Sequence, residues 1–370
     1  MAIFKTLVTK IPIPNDKKIK QKSYLQMGNL AIIDQGLSFI GGYTNDTSYQ
    51  LDFDLPVIVF GDHTCCVKYL TFPFAAGADG IKVLKPCINV LPKYLYYGTQ
   101  YLVLCLPDRG YARHYQHIEK MELPVPPIAE QQRIVTRIEE LFSELDSAVE
   151  TLQKTKQQLE VYRQAVLKEA FAECQSTVKV NDVCKHVTDG DHMPPPKAET
   201  GIPFIMISNI DKNVINWNGT AFVNREYYEN INDKRRPQKG DVLYTVTGSF
   251  GIPVLVDFDR EFCFQRHIAL LRPNNRIIQK YLYYVMQESE VYQQAEKKST
   301  GTAQKTVSLS VLRNIEIPFV ESVKEQERIV EKIESQLSVC DGIERTIEES
   351  LQQAEAMRQS ILKKAFEGRL

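Results

Sequence analysis

Two stretches of the chain share one spacing of apolar positions. Ile134, Ile138, Leu141, Leu145, Ala148, Leu152, Thr155, Leu159, Tyr162 and Val166 advance by alternating steps of four and three. So do Ile329, Ile333, Gln336, Cys340, Ile343, Ile347, Ser350, Ala354, Met357 and Ile361. A period of 3.5 held for about five heptads predicts a coiled-coil seam, not a helix lying on a sheet. Neither stretch contains proline, and only Gly342 interrupts with a glycine. At 1.5 Å per residue each helix would run about 60 Å. Thr155 and Ser350 fall at matching seam positions, either as tolerated variation or as a polar device that penalises slipped pairing.

The two stretches are copies. Residues 130–171 lie over 325–366 without a gap, with 19 of 42 positions identical, from "EQQRIV" and "EQERIV" to the shared Ala-Phe at the end. Each follows a proline-bearing approach, "MELPVPPIAEQQ" and "IEIPFVESVKEQE". Proline at the threshold and glutamate in the first turn suit a sharp helix start.

The segments before the helices alternate short β-like runs with turns, and they also correspond. An offset of 187 sets "DGIKVLKPCINVLPKYLYY" over "RHIALLRPNNRIIQKYLYY" and Gly61 over Gly248. The chain therefore divides into residues 1–117, a first mixed globular segment; 118–175, a long helix; 176–314, a second globular segment; and 315–370, a second long helix. The expected fold is α+β: two globular mixed α/β domains separated by two long coiled-coil helices. A pseudo-two-fold repeat would set those helices antiparallel.

Composition is ordinary, with 43% hydrophobic and 25% charged residues, so neither disorder nor a fibrous repeat is indicated. No apolar run approaches the roughly 20 residues of a membrane helix, and the N-terminal stretch lacks an apolar core of signal-peptide length. Eight cysteines show no CxxC pair and read as reduced thiols of a cytoplasmic protein. Net charge is −1, but both long helices carry more acid than base, which leaves the globular segments mildly basic. That bias permits local DNA-binding patches without demanding them.

Self-contained chemistry is missing. The sequence has no P-loop, GxGxxG, HExxH or GxSxG pattern, and its six histidines form no ligand spacing, so no metal site is expected. "DGDHMPPP" at 189–196 holds two Asp and a His, yet Asp-Gly and triple proline are turn signals in their own right.

The doubled proline approach, "EQQRIV" or "EQERIV", the heptad helix and the endings "LKEAF" and "ILKKAFEGRL" resemble the DNA-specificity subunit of type I restriction–modification enzymes. The resemblance runs over essentially the whole chain. It implies two target-recognition domains, each reading one half of a split double-stranded DNA site, with antiparallel helices fixing the gap. It implies no catalysis by this chain. Methylation would belong to modification subunits that bind S-adenosylmethionine and dock on the helices, and cleavage to ATP-driven restriction subunits. Consistently, the N-P-P-[YF] motif of methyltransferases is absent. The first recognition segment is shorter than the second, and the first residues depart from the family's usual pattern.

DNA recognition calls for basic side chains on phosphates and polar ones at base edges. In the first globular segment the candidates are Thr44, Asn45, His63, Lys68, Arg109, Tyr111, Arg113 and His114. In the second they are Ser208, Asn209, Lys212, Arg225, Lys234, Arg235, Arg236, Thr247, Ser249, Arg266, Lys297, Lys298, Thr300, Gln304 and Lys305. The loops just before the long helices combine glycine, hydroxyl, amide and basic groups in both halves. His267 and the "KYLYY" tyrosines read as core. On the helix starts, Glu130, Arg133, Glu325 and Arg328 are candidates for docking the modification subunits. A competing reading is a coiled-coil scaffold joining two protein-binding domains, with no nucleic acid involved.

Overall fold

The computed structural model describes every residue except 78, 79, 108, 109, 111, 193, 194, 197, 302 and 303. The chain forms two compact units, Met1–Gln153 with Glu348–Leu370, and Lys154–Ile347. Both boundaries fall inside long helices, so each unit takes half of each helix.

In the first unit the main strands are β1 (Val8–Ile11), β2 (Leu30–Ile33), β3 (Gly42–Thr44), β4 (Val57–Gly61), β5 (Val67–Leu70), β6 (Ala75–Gly77) and β7 (Ile81–Pro86). Helix α1 is Pro92–Leu104, and the long helix α2 is Ile128–Ala172. The second unit repeats the plan with β8 (Cys184–Asp189), β9 (Ile202–Ile205), β10 (Ala221–Val223), β11 (Val242–Thr245), β12 (Pro253–Leu255), β13 (Cys263–Phe264), β14 (Ile268–Pro273), α3 (Gln279–Val285) and the long helix α4 (Val323–Phe366).

One antiparallel sheet runs β1-β7-β4-β5 in the first unit and β8-β14-β11-β12 in the second. A second sheet carries a parallel pair in each case, β2 beside β6 and β9 beside β13. Register settles the correspondence. Ile58 pairs with Leu84 and Val242 with Leu271, so Gly61 matches Thr245 and not Gly248. The expected glycine match fails because the second unit inserts a tight turn after its strand, where Gly248 and Gly251 hold positive φ.

The central strands show why hydrophobic runs were written there. In β4, Ile58 and Phe60 face the cluster under the helices, while Val57 and Val59 face the cluster between the sheets. In β11, Val242 and Tyr244 point one way and Leu243 the other. Side chains alternate across a strand, so one buried on both faces needs apolar residues throughout.

Within each unit the two helix halves run antiparallel. In the first, Arg358 pairs with Asp146; in the second, Lys332 lies 3.0 Å from Glu169 and Arg163 3.0 Å from Glu344. Aromatic contacts close both units alike. The Phe366 ring sits 5.0 Å from Tyr94, and the Phe171 ring 5.3 Å from Tyr281. Both tyrosines donate to a carbonyl of the proline approach, Pro124 and Pro318. Of the "KYLYY" tyrosines expected in the core, Tyr94, Tyr97 and Tyr281 are buried and Tyr96, Tyr283 and Tyr284 half-buried, and His267, expected there too, is also only half-buried.

The seam is only partly the expected one. Ile134, Ile138, Leu159, Ile329, Ile333 and Ile347 are buried, and Leu141, Leu145, Leu152 and Ile361 are half-buried. Tyr162, Ile343 and Met357, however, are 50%, 41% and 55% exposed. Near the globular parts the helices pack on sheet and helix together, which widens the buried stripe to Val135, Phe142, Leu167, Val330 and Leu362. A straight helix drifts about 20° per heptad from a 3.5 repeat, so a strict seam does not stay on one buried face.

Candidate nucleic-acid interface

Each repeat builds a recess at the same place, where the loop after its central strand meets the loop leading toward the long helix. The backbone makes the junction. His114 donates its amide to the Asp62 carbonyl, and Val307 to the Val246 carbonyl, both at 2.8 Å.

In the first unit this recess encloses about 550 Å³ and is lined by Lys10, Lys18, His63, Lys82 and Arg113 with Asp62. Asp62 is nearly buried, accepts from the Tyr115 amide at 2.9 Å and lies 3.2 Å from the Lys82 ammonium. His63 Nδ1 is 3.1 Å from the Ala112 carbonyl, which ties the two loops together. Burial pushes the Tyr115 phenol up to about 12, so it stays neutral beneath Lys10, whose ammonium lies 5.8 Å from the ring centre. Four cations against one carboxylate make this surface attractive to a phosphate chain.

The second unit has two adjoining recesses that share Thr247 and Gln304. One is also lined by Ser208, Gly248 and Ser249, the other by Asp189, Arg266, His267 and Thr306. Gly248 holds φ +69°, and a Cβ there would meet the Gln304 amide nitrogen at 3.1 Å, so glycine lets the two loops approach. Thr300 and Thr306 exchange backbone hydrogen bonds of 2.9 and 2.7 Å, which shapes the loop that presents Gln304. Hydroxyl and amide groups dominate here, the chemistry of base-edge contacts.

Several candidates are placed otherwise. Lys68 is 3% exposed and donates to the carbonyls of Asp34 and Ser38, at 2.9 and 2.6 Å. It braces a loop and cannot reach a phosphate. His114 is 7% exposed with Nε2 3.2 Å from the Gly110 carbonyl, and serves the same junction from inside. Asn209 is buried, accepts from the Met206 amide and donates to the Asn216 carbonyl, closing the base of a hairpin. Arg236 donates to the Ile231 and Glu229 carbonyls and covers the Tyr228 ring, so its guanidinium is committed within the fold. Thr44 is nearly buried and accepts from the Asp46 amide.

Others remain at the surface but outside these recesses. Asn45 accepts from the Asn29 amide, Lys212 sits in a hairpin turn with φ +45°, and Arg225 pairs with Glu261 at 2.8 Å. Lys298 is exposed, and Lys305 pairs with Glu296 at 3.0 Å. Arg235 lies 3.3 Å from Asp189 and lines a separate polar recess of about 490 Å³ with Lys234, Asp191 and Tyr227. Arg109 and Tyr111 lie outside the described residues. Sequence reasoning missed Lys10, Lys18 and Lys82. Lys82 alternates with buried Ile81 and Val83, so strand periodicity marks it as facing away from the core.

On the helix starts, Glu130 pairs with Arg133 at 2.7 Å and Glu325 with Arg328 at 2.6 Å. The two arginines are exposed and the two glutamates half-buried. Hydrogen bonds from the arginines hold both carboxyls below the usual range. Among the described residues no cluster could hold a metal ion, and no helix is long and apolar enough to cross a membrane.

Comparison with known proteins agrees with this doubling. The model of the type I restriction modification DNA specificity domain matches twice, at residues 8–161 and 175–353. The chain is 27% identical over 278 residues to the Escherichia coli type I restriction enzyme EcoBI specificity subunit, covering 67% of this chain and 58% of that one. It is 25% identical over 379 residues to the Escherichia coli EcoR124I/EcoR124II specificity subunit, covering 95% and 91%. The fold is similar to that of the HsdS subunit from Thermoanaerobacter tengcongensis, with a TM-score of 0.51 at 16% identity, covering 100% of this chain and 96% of that one. A chain from a solved type I R-M system gives 0.68 at 16% identity, covering 100% and 97%.

Proposed function

The chain belongs to the type I restriction–modification DNA specificity family, and from that membership we propose that it selects the DNA sequence on which a type I complex acts. Each unit reads one half of a bipartite duplex site. The long helices set the number of base pairs between the halves and carry the modification subunits, with Glu130, Arg133, Glu325 and Arg328 at the docking surface. S-adenosylmethionine and ATP bind partner subunits, and this chain performs recognition without catalysis. Its workplace is the cytoplasm, with restriction subunits completing the complex.

The observation that carries this reading is that both repeats place recesses at matching strand ends. The recess of the first unit is rich in cations and those of the second in hydroxyl and amide groups, as expected of two readers with one backbone plan and different targets. Family membership speaks against the scaffold without nucleic acid.

The test is co-expression with the modification subunit followed by single-molecule mapping of methylated bases. A split motif with a fixed gap is expected. Arg113→Ala should relax one half of that motif and Gln304→Ala the other. If both relax the same half, or if wild type leaves the DNA unmodified, the assignment fails.

A further inference from the structure

Between β2 and β3 the first unit carries a loop, Asp34–Gly41, whose construction does not suit a passive connection. Lys68 spends a buried ammonium on it, donating to the Asp34 and Ser38 carbonyls with the Asp34 carboxylate 3.8 Å away. Asp34 in turn accepts from the Gly36 amide at 2.9 Å. Burying an ammonium costs several kcal/mol unless it is well satisfied, so this brace is an expensive way to fix a surface loop. What it holds out is apolar. Leu37 is 88% exposed and Phe39 49%, with the Phe39 ring edge-on to Phe72 at 6.2 Å.

The base of the loop abuts the cationic recess. Gln35 accepts from the His63 amide through its side chain and from the Thr64 hydroxyl through its carbonyl. A Cβ on Gly80, which also lines the recess, would meet the Gln35 side chain at 2.6 Å. The base of the loop that carries the apolar tip thus touches residues that line the cationic recess.

We propose that the Leu37–Phe39 tip is a specificity element of the first unit, taking the apolar surface of a base while the neighbouring cations hold the strand. That surface is either a thymine methyl group in the major groove or the face of a base at a step that the tip opens. The proposal rests on the DNA-reading function given above and adds to it a contact that no charge or hydrogen bond supplies. Leu37 cannot owe its place to the core, since almost all of it lies in solvent.

The test uses the complete complex with its modification subunits and its own split DNA site. Leu37→Ser should weaken binding to that site about 5- to 150-fold, the range for losing recognition of one base pair. Thermal stability, non-specific affinity and the salt dependence should stay unchanged, because every phosphate partner is retained. Two probes then separate the sources. Replacing thymines by uracil one at a time should reproduce the loss at one position if the methyl group is the target. A 2-aminopurine placed along the half-site should brighten at one step on binding wild type, but not Leu37→Ser, if the tip opens the stack. Wild-type affinity in Leu37→Ser, or a loss accompanied by neither response, overturns the proposal while leaving DNA recognition intact. Absence of salt-dependent DNA binding by the wild-type complex would overturn the reading beneath it.

Discussion

Gln131 and Gln326 make the same three hydrogen bonds in the two repeats. Gln131 accepts from the Leu91 amide and donates to the Asn89 and Pro126 carbonyls, all within 3.0 Å. Gln326 accepts from Ile278 and donates to Arg276 and Val320, all within 2.9 Å. Both are fully buried. One side chain thereby ties the start of the short helix, the loop before it and the proline approach to the first turn of the long helix. The expected cost of Gln→Leu at either site is about 1–3 kcal/mol for the orphaned amide alone. The two losses should add, since the sites share no partner. Chemical denaturation of the single and double variants measures both points, and a neutral single variant would contradict the role.

The aromatic closures predict unit-selective damage. Phe366→Ala should cost about 3–5 kcal/mol in the first unit, and Phe171→Ala a similar amount in the second. Hydrogen exchange should show lost protection around Tyr94 in the first variant and around Tyr281 in the other. Loss in both units from either change would refute the assignment of the two phenylalanines to separate cores.

Salt dependence separates working cations from structural ones. Neutralising Lys82 or Arg113 should lower the slope of log affinity against log salt by about 0.9 for each phosphate that the side chain had neutralised. Lys68→Met should leave that slope alone and lower stability, because its ammonium is already spent on two carbonyls. Titrating each variant from low to high salt distinguishes these outcomes.

Burial pushes the thiols of Cys184 and Cys263 up to about 12. The folded value lies above the unfolded one, so their contribution to stability is complete below the ordinary thiol range. It is lost as pH climbs through that range toward 12. At neutral pH, exposed Cys105 should label with a maleimide well before either buried thiol. Mass spectrometry over a labelling time course checks the order.

The large features of the fold were legible because they rest on periodicity. The doubled helix, its Ile134–Ile138 and Ile329–Ile333 seam and the buried tyrosines all follow from spacing. Misreadings cluster at polar side chains whose role depends on distance. Lys68, Asn209 and Arg236 look like surface contacts in a sequence, and only the carbonyls near them reveal braces. Gln131 and Gln326 were more legible than they seemed. Three residues before Ile134 and Ile329 the same polar residue stands in both copies, on the buried side of the helix. A polar group written twice at an inward position announces a satisfied buried network. For the recess cations the signal was alternation along β7, which marks Lys82 but says nothing of the loop that meets it.

The division of the helices between units has a consequence for synthesis. Residues 154–347 are contiguous, so the second unit draws its core from one uninterrupted stretch of chain. The first unit does not, because its core includes Leu362, Ala365 and Phe366. The apolar surface around Tyr94 and Ile138 therefore stays uncovered until residues more than two hundred positions further along the chain are made.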